Sequence, residues 1–304
     1  IEYYLATVRH ENMPVDRMAN DTINYTPVAI KFVINEAVIH AHFDGRDAIS
    51  YEDFTRAREN HEYGLREPIR GLSDEDRRRL AYHEAGHAIA QVKLVSWERI
   101  MKVTIIRHGD ALGFMAPKPV EEKRVLMREE ILEDLQVTLA ARAAEELFLG
   151  SQSKGVGGDF ASATETAFNM LNHWGMDGSF YSTGPFGNAV GATDPNMRRR
   201  IDQLLDQEYR KAKTLLSEYS GAVHELAQEL MKHDEVDGQD VEEMVRRWDE
   251  QIAEGKAPKV LPDDASVLVG SDRNPKPYVF GDNGNGSSNG SSTPPDEIPE
   301  DRTT

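Results

Sequence analysis

His83-Glu84-Ala85-Gly86-His87 lies inside a stretch, Ser73 to Leu94, that reads as one continuous helix. Ser73 is its cap, and Asp74, Glu75 and Asp76 give the first turn the negative charge that complements the helix dipole. On that helix the i, i+4 spacing puts both imidazoles on one face, a turn apart, where they can grip one Zn2+. Glu84 lies about 100° round the axis, near enough to reach a water activated by the metal without being a ligand. Such a carboxylate can take the water's proton as the oxygen attacks an amide carbonyl. With 10 His in 304 residues, chance produces this pattern only about 0.03 times per chain. Gly86 adds a second signal: a glycine inside a helix costs about 1 kcal/mol against alanine, so its presence predicts a very close neighbour at that turn.

A catalytic zinc takes a third protein ligand and keeps one position open. One known extension would put Gly three and His six residues after the second His, but Ala90 and Lys93 stand there. Another would use a Glu about twenty residues on; that region offers Arg107 and His108, with Asp110 the nearest carboxylate and read as a turn residue. The remaining candidates are Glu145-Glu146, late in a helix, and Asp159, after the loop Gly155-Val156-Gly157-Gly158. Spacing alone leaves these alternatives open.

The rest of the chain bounds the function. Lys plus Arg is 35 against 53 Asp plus Glu, a net charge of −18, which argues against nucleic acid or an anionic membrane surface as the main partner. Cysteine is absent, which removes disulfides, thiolate metal sites and a cysteine nucleophile together. No apolar run approaches the roughly 18 to 20 residues that span a bilayer. The chain opens at Ile1 with no initiator Met or signal peptide, and is expected to be a soluble piece of something longer.

Three zones follow. Residues 1–68 are helical in pattern. There Pro27 suits a first helical turn, and Val28, Phe32, Ile34, Ala37, Val38 and Ala41 are expected to face a small core. Ala48-Ile49 can form only a very short strand, Ser50 caps a further helix, and Pro68 to Gly71 marks a hinge. Residues 71–250 are again mostly helical, with helices expected over 73–94, from Met127 to Leu149, from Asp159 to before Gly175, and from Asp194-Pro195 onward with breaks near Gly221 and Gly238. Lys102 to Ile106 is β-branched and reads as a strand, with Gly109-Asp110 as its turn. Residues 251–304, rich in Pro, Gly, Ser and Asn, read as a disordered tail. His40, His42, His224 and His233 lack ligand partners at suitable spacing and are expected at the surface.

From His83 to His87, through Lys102-Val103-Thr104-Ile105-Ile106, Ala111-Leu112-Gly113 and Arg142-Ala143-Ala144-Glu145-Glu146-Leu147, the motifs occur in an order that resembles the FtsH family of ATP-dependent zinc metalloproteases. Asp159-Phe160, Ala163-Thr164-Glu165, Met170, Trp174-Gly175-Met176 and Asp237-Gly238 continue the resemblance. Residues 1–68 resemble the helical lid that closes the family's AAA module, through Asn35-Glu36-Ala37 and Ile49 to Phe54. The resemblance implies a mainly α fold: a helical AAA lid (1–68), then a helical zinc-peptidase domain (71–250) with a small β element. It also implies that His83, His87 and Asp159 hold one Zn2+ per chain, that Glu84 is the general base, and that Glu145-Glu146 support the site from outside or remain weaker ligand candidates. Val103, Thr104 and Ile105 become a candidate edge strand for pairing with an extended substrate.

The implied activity is endopeptidase action on unfolded or misfolded proteins, with a catalytically silent assembly module of the same ring as the alternative. A homohexamer, polypeptide substrates and no nucleic acid are the implied partners. The family member is membrane-associated through an N-terminal anchor that is expected outside this chain, with this part on the cytoplasmic, or organelle matrix or stroma, side. Departures from the family are Ala140-Ala141 for Gly-Gly, Arg107 for a Pro, and Pro27-Val28-Ala29 for Gly-Ala-Asp at a lid helix. No G-x-x-x-x-G-K-[ST] phosphate loop occurs in the 304 residues, so ATP and Mg2+ are expected to bind only an AAA core that this chain lacks.

Overall fold

The computed structural model describes residues 1–67, 72–108, 112–121, 123, 125–180, 182 and 194–261. Four helices come first: α1 (Glu2–Leu5), α2 (Val15–Asp21), α3 (Pro27–Phe43) and α4 (Tyr51–Tyr63). Thr26 caps α3 by accepting the Ala29 N–H, with Pro27 in the first turn as its sequence predicts. Ser50 and Asp53 form a reciprocal capping box on α4. A bridge between His10 and Ile49 is what remains of the short strand expected there.

These helices close around Leu5, Met18, Val33, Ile34, Ala37, Ala41, Ile49, Phe54 and Ala57. The apolar pattern of α3 is misread in part by periodicity: Val28 is 76% exposed, Phe32 47% and Val38 37%. Apolar residues occur on two sides of this helix, and the side carrying Val33, Ile34, Ala37 and Ala41 is the one that packs.

The second core is built on two long helices, α5 (Asp74–Leu94) and α6 (Arg128–Leu149), with α7 (Gly157–Asn172), α8 (Pro195–Glu218), α9 (Ser220–His233) and α10 (Gly238–Ala253) around them. Ser73 caps α5 through the Asp76 N–H, and Asp194 caps α8 through the Asn196 N–H. The approach of α5 to α6 is unusually close. A Cβ at Gly86 would sit 2.7 Å from the Ala144 Cβ and 2.9 Å from the Ala140 carbonyl oxygen, which identifies the neighbour that the glycine predicted. The helix expected to break near Gly221 breaks two residues earlier, at Tyr219, which ends α8 and starts α9. There the indole of Trp248 covers Gly221 so closely that a Cβ would fall 2.0 Å from its ring.

A three-stranded antiparallel sheet lies against α5 in the order β4-β2-β5, with β2 spanning Glu98–Thr104, β4 Phe114–Pro119 and β5 Glu235–Asp237. Strand β2 starts four residues before the expected Lys102 and ends two before Ile106. It is also the central strand, with Val103 paired to Met115 on one side and to Val236 on the other. The Ile105 N–H is donated to the Asp234 carbonyl. The expectation of an edge strand at Val103, Thr104 and Ile105 is therefore corrected: β5, three residues long and not foreseen, covers the side that was read as open. Among the described residues the two outer strands of this sheet are β4 and the three-residue β5. A second pairing joins β1 (Arg66–Glu67) to β3 (Arg107–His108).

The described residues, from Ile1 to Leu261, fall in one compact unit. Helix α10 continues to Ala253, and Ala257 and Leu261 pack on the core, so the opening residues of the tail expected from 251 are ordered against the domain. The remainder of that tail (262–304), the hinge at Pro68 to Gly71 and the turn at Gly109-Asp110 lie outside the described residues.

Gly86→Ala tests the packing directly. The added methyl must push α5 from α6, an overpacking that costs about 1–3 kcal/mol. Urea unfolding should give a lower midpoint at unchanged m-value, and Ala144→Gly should recover part of the loss.

Candidate metal centre

Gly86 lets α6 approach the side of α5 that carries both histidines. The carboxylate of Glu145 on α6 reaches the His83 Nδ1 at 2.9 Å, and the Val137 carbonyl, also on α6, reaches the His87 Nδ1 at 2.8 Å. A carboxylate and a carbonyl can only accept, so each Nδ1 carries the hydrogen and donates it. Both Nε2 atoms are then left bare, and both point at one carboxylate. Asp159 Oδ2 lies 3.4 Å from the His83 Nε2 and 3.6 Å from the His87 Nε2.

Asp159 sits in the first turn of α7, which starts at Gly157 after a short 3-10 turn, Lys154–Val156. Its Oδ2 is buried and has no hydrogen-bond donor. The three ligand atoms lie within 4.8 Å of one another, and His83, His87 and Asp159 form the one such group among the described residues. Two bare imidazole nitrogens and an orphaned carboxylate oxygen offer lone pairs and no hydrogen, which is the donor set a small cation needs. This nitrogen and oxygen set, without sulfur, suits Zn2+. The surroundings are negative: burial opposes a charge on His87, yet Asp159 and Glu84 outweigh that and raise its affinity for a positive charge, which with no cation present is a proton.

Glu145 and Glu146 divide their work. Glu145, 1% exposed, also accepts the Ser153 N–H at 2.5 Å and the Ser153 hydroxyl at 2.9 Å. Burial would raise its pKa, but the His83 and Ser153 bonds win and hold it below the ordinary range. It thus fixes the tautomer and ring direction of His83. Glu146 faces away, bound by Arg142, Lys213 and the Tyr209 hydroxyl. The structure brings neither to the group of ligand atoms, and Asp110 lies outside the described residues. Ser153 escaped the sequence reading; its one signal is its place just before the glycine loop, where it also accepts the Gly155 N–H at 3.0 Å.

Glu84, next to His83, is 4% exposed. Burial pushes its carboxyl pKa up and Asp159 adds to this, while the two imidazoles oppose it. His224, expected at the surface, is instead half-buried and meets the Tyr82 hydroxyl at 2.6 Å.

Asp159→Ala should lower zinc affinity by at least about 100-fold, because two imidazoles leave the ion under-coordinated. Glu145→Gln should cost about 10–100-fold, since the amide can still accept from His83 but carries no charge. Competition with a zinc chelator measures both. An Asp159→Ala protein with undiminished affinity would remove Asp159 from the ligand set.

Comparison with known proteins supplies the remaining evidence. Residues 70–244 match the peptidase family M41. The chain is 32% identical over 251 residues to the ATP-dependent zinc metalloprotease FtsH 2 of Methylacidiphilum infernorum, covering 78% of this chain and 39% of that protein. It is 32% identical over 250 residues to FtsH of Thermus thermophilus, covering 77% and 39%, and 28% identical over 257 residues to YME1L of Drosophila melanogaster, covering 79% and 34%. The chain spans about two fifths or less of the length of these relatives. With the family match over more than half its length, the chain belongs to peptidase family M41.

Proposed function

We propose that residues 71–250 are the endopeptidase part of an ATP-dependent protease, and that His83, His87 and Asp159 hold its zinc while Glu84 is the general base. The observation that carries this reading is the convergence of two bare Nε2 atoms and the orphaned Asp159 oxygen beside the buried Glu84 carboxylate. Zinc, when bound, supplies a Lewis acid that polarises the scissile carbonyl and the attacking water. Glu84 takes a proton from that water and returns it to the leaving amine, so that one carboxylate serves both halves of peptide hydrolysis. Glu145 and the Val137 carbonyl keep the imidazoles oriented throughout.

An extended substrate needs an unpaired strand edge, and β4 offers one beside the site. Pro117 and Pro119 carry no N–H, which concentrates pairing on Phe114, Met115 and Ala116. An extended main chain is recognised there only after it has been unfolded, which fits unfolded or misfolded proteins as substrates. Residues 1–68 would be the lid of an AAA module that lies outside this chain, and work on folded substrates would come from that module. Assembly into a hexameric ring and anchoring in a membrane belong to the same reading. None of the described helices is long and apolar enough to cross a membrane.

Glu84→Gln separates chemistry from metal binding. The variant should keep one zinc per chain and lose cleavage of an unstructured peptide by at least on the order of 100-fold, since the amide cannot accept the proton. Full activity in this variant would end the general-base assignment, and a wild-type protein with zinc but no cleavage would favour a silent assembly module. Mg-ATP should leave the melting temperature of the 304-residue chain unchanged, because it has no phosphate loop. A clear upward shift would mean that the first helices bind nucleotide unaided.

A further inference from the structure

Gly113 stands one residue before β4, where the ladder with β2 runs out at the pair Thr104–Phe114. Its φ is outside the left-handed region, so the backbone itself would accept an L side chain. What excludes one is contact. A Cβ built there would lie 2.9 Å from the Thr104 carbonyl oxygen, 3.0 Å from Glu84 Oε1 and 3.3 Å from Glu84 Cγ. The bare backbone of Gly113 is thus the surface against which the Glu84 side chain rests.

The two neighbours differ in how far they can give. Thr104 is fully buried in the central strand, between Phe114 and Glu235. Its hydroxyl accepts the Ile106 N–H at 3.0 Å and donates to the Asp234 carbonyl at 3.3 Å, so its backbone is held from three directions. Glu84 can turn about its side-chain torsions, but its helix cannot retreat, because Gly86 two residues on is already in contact with Ala140 and Ala144. A methyl group at 113 would therefore be relieved mainly by rotating the carboxylate of Glu84.

We infer that Gly113 is a positioning residue for the peptidase reaction: its bare backbone sets the direction in which Glu84 presents its carboxylate. This rests on the reading of Glu84 as the group that accepts the proton. Proton transfer tolerates little displacement, and a misplacement of about 1 Å can cost on the order of 100-fold in rate. Gly113 makes no call on the metal, so an error here should leave zinc binding untouched.

The test uses the zinc-loaded 304-residue chain carrying Gly113→Ala, Glu84→Ala, and both. Gly113→Ala should keep its zinc and lower kcat on an unstructured peptide by on the order of 100-fold, with KM within about threefold of the parent. Melting temperatures of the four proteins give a readout that needs no activity. The methyl should lower the melting temperature clearly in the parent and by less than half as much in the Glu84→Ala background, where the carboxylate it displaces is gone. An equal drop in both backgrounds would assign the clash to the Thr104 carbonyl alone and overturn the inference, as would parental kcat in Gly113→Ala. Failure of the general-base reading looks different: Glu84→Gln would then stay active while the melting-temperature cycle still showed coupling between positions 84 and 113.

Discussion

The contact of α5 with α6 at Gly86 is the constraint on which the site depends. Replacing hydrogen by a larger group at that one position would meet the Ala140 carbonyl and the Ala144 methyl at once. Because the backbones come this close, groups on α6 can reach behind both histidines, and both rings are oriented by bonds from one helix. Alanines on α6, Ala140, Ala141, Ala143 and Ala144, are all fully buried and supply the flat surface that this approach requires. A helix pair at ordinary separation would leave the Nδ1 atoms to water, and the direction of each Nε2 would be lost.

Polarity in the site runs in one direction only. Acceptors behind the rings force hydrogens onto the Nδ1 atoms, which leaves acceptors in front, facing another acceptor on Asp159. Such an arrangement is unfavourable on its own, since a buried lone pair without a donor has lost water and gained nothing. A positive charge in the middle, a proton or a metal ion, relieves it. Asp159 arrives in the first turn of α7; Gly157 and Gly158, which start that helix, have open space where a Cβ would go, so packing does not demand glycine there.

The sequence made the helices and their caps legible because capping and periodicity are local. Ser50, Ser73 and Asp194 each bond the backbone as their residue type suggests. Gly86 announced a close contact correctly but not its partner, since a glycine reports the absence of a side chain and says nothing of what fills the space. The pentapeptide pointed to two imidazoles; spacing left the carboxylates open and the family resemblance favoured Asp159, and in the structure Asp159 takes the front of the His83 ring and Glu145 the back. Edge or centre could not be read for β2, because that depends on β5, three residues long and more than 130 positions away by its pairing of Thr104 with Glu235. The exposed face of α3 shows the same limit: Val28 and Phe32 fit a helical period as well as Val33 and Ile34 do.

The sheet is where the two halves of the described chain meet. Its basic residues reach acidic residues of the first helices: Arg99 to Asp21 at 3.0 Å, Lys102 to Glu59 at 2.6 Å and Lys118 to Glu62 at 3.0 Å. Lys102 and Lys118 are both buried, and pairs of this kind contribute orientation more dependably than stability, because desolvation offsets much of their attraction. Lys102 also bonds Glu235 on β5, and the ring of Tyr63 packs on Phe114 at 4.7 Å, directly after Gly113. Strands β2 and β4 therefore carry, on one set of residues, the fastening to the first helices and, at the next positions along the chain, the wall behind Glu84. The placement of a carboxylate in the site and the placement of the N-terminal helices are consequences of the same sheet register, so a slip in that register would disturb both together.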